Sequence, residues 1–265
     1  MNEYIIAVII GVVEGLTEFL PISSTGHMIL AGSLLGFEGE KASVFEVFIQ
    51  LGAILSVFIL YRDKFRRMMD LKRITSSDGL SAWHAAAGIV PVMGVGYLLH
   101  KPIKLYLFSP FTVIIGLVAG AALMLAAEKI ARRPATCDVE DMTIRQAFFV
   151  GLFQILSLWP GFSRSGSTIA GGLLFGLSRT AAAEFSFIIA VPLMLVACVY
   201  DLLKILDKLS AGDLAMIAVG FAVAFVVAWA SIVWFLRFLN RSTLASFAYY
   251  RFALAAVSYW YFFGR

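Results

Sequence analysis

Six long apolar stretches, separated by short polar segments, account for much of this chain. They lie at about 43–61, 82–100, 109–128, 180–202, 213–236 and 244–262. A transmembrane helix needs about 20 mainly apolar residues, and each stretch is close to or above that length. The pattern therefore predicts an all-α polytopic membrane protein with six transmembrane helices.

Two further apolar stretches, about 4–36 and 146–177, are interrupted near their middle. The interruptions are PISSTG, from Pro21, and PGFSRSG, from Pro160. Proline ends a helix because it removes a backbone donor, glycine relaxes the backbone, and the remaining halves are short for a span. Irregular backbone persists at membrane depth only inside protein or beside a water-filled cavity. We therefore expect two re-entrant helix–loop–helix elements.

The two broken stretches are related by a shift of 140 residues without gaps. Identical residues then pair as Gly11 with Gly151, Ser23 with Ser163, Gly26 with Gly166 and Gly36 with Gly176. Gln154 falls opposite Glu14. We predict one integral membrane domain, 1–265, built from repeat 1 (about 1–130) and repeat 2 (about 141–265). Each repeat holds three spans, so the second enters the membrane in the opposite orientation and the repeat is of inverted topology.

Composition and charge support a membrane protein and predict its orientation. Hydrophobic residues make up 61% of the chain and charged residues 14%, whereas soluble domains contain about 25% charged residues. Basic residues cluster in the loop 62–73, before the second broken stretch and beside the fifth span. The last two groups are Lys129, Arg132, Arg133 and Arg145, and Arg237 and Arg241. The positive-inside rule makes these loops cytoplasmic and places both termini outside. A net charge of +4, confined to a few loops, does not favour nucleic-acid binding.

Glu14 and Glu18 lie four residues apart on the helix that leads into the first break, so they share one helix face. Two close carboxylates in a poorly hydrated site cannot both stay ionised unless a cation or a shared proton intervenes. The pair therefore indicates either a divalent-metal site or a carboxyl group that transfers protons. A pair that faces water, or that binds a structural arginine, is the plainer alternative.

Three hydroxyl side chains and a histidine follow, where the second half of the first broken stretch begins. They form the run Ser23, Ser24, Thr25, Gly26 and His27. One hydroxyl could simply cap the helix, but hydroxyls and free N–H groups at a helix N-terminus also favour phosphate binding. His27 lies three residues after Ser24, so it could serve as general base or acid for a hydroxyl group or a water.

The second broken stretch supplies the complementary charge. Ser163 and Ser165 flank Arg164, and Thr168 follows one turn later. A guanidinium group binds phosphate oxygens in a bidentate manner and stays protonated. Together, the two stretches contain the groups needed for phosphoryl transfer, where positioning and charge neutralisation dominate. Arg164 could instead neutralise one of the two glutamates of the first stretch.

The sequences VVEGLTEFLPISSTGHM and LWPGFSRSGSTIAGG resemble the undecaprenyl-diphosphatase family, also called bacitracin-resistance proteins. The shared motifs are an E-x-x-x-E run into P-x-S-S-T-G-H and a P-G-x-S-R-S-x-x-T segment, and the likeness extends over essentially the whole chain. It implies a bacterial inner-membrane enzyme that hydrolyses the terminal phosphate of undecaprenyl diphosphate, a polyprenyl lipid. This would recycle the carrier lipid for cell-wall synthesis and confer bacitracin resistance. A divalent cation, Mg²⁺ or Ca²⁺, is implied as well.

The resemblance also assigns a site. The matching positions are Glu14, Glu18, Ser24, His27 and Arg164, supported by Ser23, Thr25, Gly26, Ser163, Ser165 and Thr168. In this hypothesis Arg164 and the loop N–H groups hold the diphosphate, and the two glutamates bind the cation or steer protons. Ser24 is the nucleophile, assisted by His27, with a metal-activated water as the alternative. The family suggests that the site opens to the periplasm, and a homodimer is compatible with the sequence.

A transporter or lipid flippase is the competing interpretation, because inverted repeats with broken helices are common in carriers. A carrier needs groups that bind its cargo. It does not need a nucleophile, a proton carrier and an anion clamp in one place. The motifs therefore favour an enzyme.

Overall fold

The computed structural model describes residues 2–69, 79–131, 133–205 and 213–264, and most of these residues are α-helical. The helices are α1 (Glu3–Thr17), α2 (Ser24–Leu35), α3 (Glu40–Leu60), α4 (Arg62–Met68), α5 (Ala82–Tyr106), α6 (Pro110–Ile130), α7 (Ile144–Gln154), α8 (Arg164–Leu174), α9 (Arg179–Ile205), α10 (Asp213–Leu239) and α11 (Ala245–Phe263). Two short 3-10 helices cover Val139–Asp141 and Ile155–Leu158. The basic residues at 72, 73 and 132, which contribute to the predicted orientation, lie outside the described residues.

Five helices of the described chain are long and apolar enough to cross a membrane: α3, α5, α6, α9 and α10. They correspond to the first five predicted spans, so the chain is a multi-pass membrane protein. The sixth predicted span coincides with α11, which is 19 residues long but is not one of these five. An arginine and several tyrosines make this helix less apolar than the others.

Each broken stretch contains two helices joined by a loop. The first loop connects α1 to α2, and the second connects the 3-10 turn after α7 to α8. Both loops end on a serine with a left-handed backbone: Ser23 has φ 69° and Ser163 has φ 73°. The side chain of each accepts a hydrogen bond from a glycine N–H three residues on, Gly26 at 3.4 Å and Gly166 at 3.2 Å. The two loops therefore start their second helices with the same local geometry.

The first half-helices pack unusually closely against long helices. Helix α1 lies along α10, and α7 lies along α5. A Cβ added to Gly11 would stand 2.8 Å from the carbonyl oxygen of Gly220, and one added to Gly151 would stand 2.7 Å from that of Gly88. Only glycine permits such approaches, which hold each broken stretch against the bundle.

The core surrounds the second broken stretch in particular. Helix α8 contacts α6, α7 and α9, and all its residues from Ser165 to Leu173 are buried. Phe19, from the first loop, meets Phe187 of α9 edge to face with ring centroids 5.6 Å apart. Both loops thus end inside the protein, where polar side chains have protein partners instead of lipid.

Candidate functional site

The two loops meet directly in the interior. Ser165 donates from its hydroxyl to the carbonyl oxygen of Leu20 at 2.9 Å, which joins the second loop to the first. Arg164 donates from Nη2 to Oε1 of Glu18 at 3.3 Å. Residues of both broken stretches thereby form one polar cluster.

Glu18 is the centre of this cluster. While Oε1 accepts from Arg164, Oε2 accepts a hydrogen bond from the Ser24 hydroxyl at 2.6 Å. The side chains of Glu18 and Arg164 are only 8% and 11% exposed. Such burial is costly for either charge alone, so each requires the other. Arg164 therefore neutralises Glu18 here.

Arg164 is held from three sides. Nη1 donates to the carbonyl oxygen of Ser186 at 3.1 Å and to its hydroxyl at 3.3 Å, and the Phe19 ring centroid lies 5.5 Å from the guanidinium carbon. The hydroxyls of Thr168 and Ser186 are 2.7 Å apart. The Nε–H of Arg164 is buried without a partner in the described residues, so this side chain keeps one donor available for an anion.

Glu14 is buried, at 1% exposure, and its Oε1 atom has no hydrogen-bond partner among the described residues. Gln154, which the repeat pairs with Glu14, is equally buried and also has an Oε1 without a partner there, while its Nε2 donates to the carbonyl oxygen of Gly88 at 3.0 Å. Glu18, Glu46 and Arg164 lie close enough to Glu14 to act on its charge. An orphaned carboxylate oxygen in this position is suited to a cation.

The described residues contain no group of three or more histidine, cysteine, aspartate or glutamate side chains arranged to hold a metal ion. Both oxygens of Glu18 are already bound, to Ser24 and Arg164. Protein ligands for a cation are therefore few in this part of the chain. Mg²⁺ in phosphoryl-transfer sites typically uses one or two carboxylates together with substrate phosphates, and Glu14 fits that more modest role.

His27 has partners other than Ser24. Its Nδ1 atom lies 2.8 Å from the carbonyl oxygen of Ser23, and its Nε2 atom lies 2.8 Å from the hydroxyl of Tyr250. The Ser24 hydroxyl instead donates to Glu18. The sequence interpretation that His27 assists Ser24 directly therefore finds no contact here, since the hydrogen-bond partner of the Ser24 hydroxyl is Glu18.

The remaining predicted site residues lie at the ends of α2 and α8. Thr25 is partly exposed in the first turn of α2, while Gly26 is buried, and a Cβ on it would meet Leu117 at 3.4 Å. The hydroxyls of Ser163 and Ser165 are 3.2 Å apart. The N-termini of two helices, with hydroxyls beside them, therefore accompany Arg164 at the junction of the loops.

Sequence reasoning missed Arg251, a completely buried cation on α11. The two N–H bonds of its Nη2 atom are shared among the carbonyl oxygens of Gly116, Gly161 and Phe162, at 3.1, 2.9 and 2.9 Å. It thereby ties α11 and α6 to the loop before Ser163. A charge inside an apolar stretch is a functional signal by itself, and the same rule that identified the glutamates could have found this arginine.

Comparison with known proteins agrees with these motifs. The sequence profile described as "Bacitracin resistance protein BacA" matches residues 7–257. The chain is 51% identical over 256 residues to "Undecaprenyl-diphosphatase 1" of Bacillus cereus, covering 96% of this chain and 97% of that protein. The protein of the same name from Bacillus anthracis is also 51% identical over the same shares.

Proposed function

The chain belongs to the bacitracin resistance protein BacA family, and we propose that it hydrolyses undecaprenyl diphosphate to undecaprenyl phosphate and inorganic phosphate. This reaction recycles the carrier lipid for cell-wall synthesis and underlies bacitracin resistance. The observation that carries the proposal is the linked set of Ser24, Glu18 and Arg164, which places a nucleophile, its proton acceptor and an anion-binding group within two consecutive contacts.

The first chemical step uses Ser24. Its Oγ attacks the terminal phosphorus, and the proton moves to Oε2 of Glu18, to which it is already hydrogen bonded. A serine–phosphorus bond forms as the bond from that phosphorus to the bridging oxygen breaks, and undecaprenyl phosphate leaves. Water then attacks the phosphoserine, the proton held by Glu18 returns to Ser24, and the atoms of the water leave with inorganic phosphate. Direct attack by water is the second route, and trapping a phosphoenzyme distinguishes them.

Arg164 binds the diphosphate in this scheme. Its charge is balanced here by Glu18, and its Nε–H has no partner in the described part of the chain. A diphosphate brings more negative charge than a carboxylate and matches the planar guanidinium with two oxygens. The hydroxyl of Thr25 and the N-termini of α2 and α8 supply further donors, whereas the Ser165 hydroxyl already donates to Leu20. Substrate binding thus releases Glu18 to accept the serine proton.

A divalent cation, Mg²⁺ or Ca²⁺, belongs to the proposal. Glu14, whose Oε1 lacks a partner among the residues that the structure describes, would hold it together with substrate oxygens, and Glu18 is the second candidate ligand. When bound, the cation would neutralise charge on the transferring phosphoryl group.

We place the enzyme in the bacterial inner membrane with six transmembrane helices, two re-entrant elements and inverted repeats. The matching geometry of Ser23 and Ser163 supports the repeat, as do the equivalent pairings of α1 with α10 and of α7 with α5. With the basic loops in the cytoplasm, both termini lie in the periplasm, and the lipid headgroup enters from that side.

The decisive experiment measures phosphate release from a C55 polyprenyl diphosphate by the purified protein. We expect Glu18→Gln to lower the rate by at least about 100-fold. Glu38→Gln, at an exposed glutamate, is the matched control and should be active. A carrier would instead move the intact lipid between leaflets of a vesicle without releasing phosphate, and that outcome would replace the hydrolase assignment.

A further inference from the structure

Tyr250 makes a contact that the proposed reaction does not yet use. It lies on α11, and its hydroxyl is 2.8 Å from Nε2 of His27. The two rings are parallel within 4°, with centroids 5.6 Å apart. The 2.8 Å separation of oxygen and nitrogen is within hydrogen-bond distance. The contact is therefore a hydrogen bond.

The other side of the ring fixes the direction of this bond. The Ser23 carbonyl oxygen accepts only, so Nδ1 of His27, 2.8 Å away, carries the proton. In the neutral ring Nε2 then accepts, and Tyr250 is the donor. Both ring nitrogens are thereby occupied, one by the backbone of the first loop and one by α11.

The carbonyl that His27 holds is part of the strained turn before the nucleophile. Ser23 has φ 69°, which is unfavourable for a residue other than glycine. Its carbonyl belongs to the peptide bond that leads into Ser24. Fixing this carbonyl therefore fixes the direction from which the Ser24 side chain approaches Glu18.

In the second loop, the equivalent carbonyl oxygen, that of Ser163, is held by a different donor. There the backbone N–H of Ser167 donates to the Ser163 carbonyl at 3.0 Å. In the first loop the equivalent backbone bond, from His27 to Ser23, is 3.4 Å long, and the imidazole supplies a shorter bond to the same oxygen. The His27 side chain thus provides the short hydrogen bond to the loop carbonyl that a backbone N–H provides in the other repeat.

We infer that Tyr250 and His27 are positioning residues that act in series, in which the Tyr250 hydroxyl orients the imidazole and the imidazole holds the Ser23 carbonyl so that Ser24 faces Glu18. This inference rests on the proposed function, because it concerns the nucleophile of that reaction. It assigns to Tyr250 a role in the site and to His27 a role other than proton transfer.

The variant His27→Asn separates a positioning role of residue 27 from a role in acid–base chemistry. The side-chain N–H₂ of the introduced amide can donate a hydrogen bond in place of Nδ1–H, but it cannot act as a general acid or base. We expect His27→Ala to lower kcat at least about 50-fold with little change in KM, and His27→Asn to recover to within about fivefold of the wild type. If His27→Asn is as slow as His27→Ala, the imidazole transfers protons and the inference is wrong.

Tyr250 is tested in the same assay by Tyr250→Phe, with Tyr249→Phe, on the same exposed part of α11, as the control. We expect about a fivefold loss of kcat for Tyr250→Phe in the wild-type background and no further loss in the His27→Asn background, since residues acting in series are not additive. Full activity of Tyr250→Phe, or an equal loss in both backgrounds, would contradict action through His27.

A readout independent of turnover keeps this inference distinct from the reaction itself. The chain has three histidines, so its imidazole ¹⁵N spectrum is simple. Tyr250→Phe should shift the Nε2 signal of one histidine, assigned by its absence in His27→Asn, and Tyr249→Phe should shift none. A wild type that shows this signal but releases no phosphate would refute the proposed function alone.

Discussion

The hydroxyl of Ser24 donates to Oε2 of Glu18 at 2.6 Å, while the other carboxylate oxygen accepts from Arg164 of the second loop. One carboxylate therefore links the proposed nucleophile to the proposed phosphate ligand. A diphosphate that binds Arg164 competes with Glu18 for the same guanidinium. In the proposed reaction, its arrival therefore fills the site and also frees Glu18 to accept the serine proton.

This relationship predicts that Ser24 carries a covalent phosphoryl group. Ser24→Ala should lower phosphate release by at least about 1,000-fold, because both the nucleophile and the hydrogen bond to Glu18 are removed. Ser43→Ala, at an exposed serine near the start of α3, should behave as the wild type. Rapid acid quench with labelled lipid, followed by peptide mapping, should find the label on Ser24. A label on His27 would contradict this assignment.

Arg164→Ala is expected to lower kcat/KM by at least about 100-fold, since it removes the phosphate ligand and leaves Glu18 buried without its counter-charge. Arg164→Lys should recover only a small part, because an ammonium group does not replace the bidentate fork. Steady-state phosphate release over a range of lipid concentrations measures both constants. Arg66→Ala, at an exposed arginine of α4, is the control. A loss below about tenfold for Arg164→Ala would remove the phosphate clamp.

Hydrophobic pattern and motif spacing anticipate much of this architecture. Length and apolarity locate five of the spanning helices within a few residues of their bounds. Prolines and glycines mark both loops. The 140-residue shift relates the two broken stretches, so the sequence alone predicts that Glu18 and Arg164 belong to one site. These features are local, or repeat within the chain, so a single sequence can display them.

Contacts between distant helices are what the sequence could not supply. Tyr250 and Arg251 are consecutive on α11, yet one reaches His27 and the other the carbonyl oxygens of the second loop. Nothing in their spacing indicates those partners. Proximity along the chain likewise favours His27 as the partner of Ser24, whereas the fold brings Glu18, which precedes the turn, within hydrogen-bond distance of it.

We expect Arg251 to stabilise the fold, although it lies outside both sequence motifs. Arg251→Met removes the side-chain donor from two buried loop carbonyl oxygens, those of Gly161 and Phe162. Leaving these two unpaired costs about 3 kcal/mol, which corresponds to a fall of about 6–12 °C in apparent melting temperature. Thermal unfolding in detergent measures it. Arg237→Met, at an exposed arginine of α10, should stay within about 2 °C of the wild type. Equal stability of the two variants would refute the bracing role.

Removal of divalent cations should abolish phosphate release, and added Mg²⁺ or Ca²⁺ should restore it. Glu14 is the proposed ligand, through the Oε1 atom that has no partner in the described chain. Glu14→Gln keeps the shape but loses the charge, so the cation concentration for half-maximal activity should rise by at least about tenfold. Titration of cation into chelator-treated protein measures this value. Glu38→Gln should leave it unchanged. An unaltered titration for Glu14→Gln would exclude Glu14 as a ligand.

The predicted orientation can be tested with the two natural thiols. Cys137, between α6 and α7, is exposed, while Cys198 on α9 is buried and serves as an internal control. Because the basic residues around Cys137 predict a cytoplasmic segment, a membrane-impermeant maleimide should leave Cys137 unlabelled in intact spheroplasts and label it after permeabilisation. Glu38→Cys, introduced between α2 and α3 on the predicted opposite side, should be labelled in both conditions. Labelling of Cys137 in intact spheroplasts, with Glu38→Cys protected, would reverse the orientation and move the site's opening to the cytoplasm.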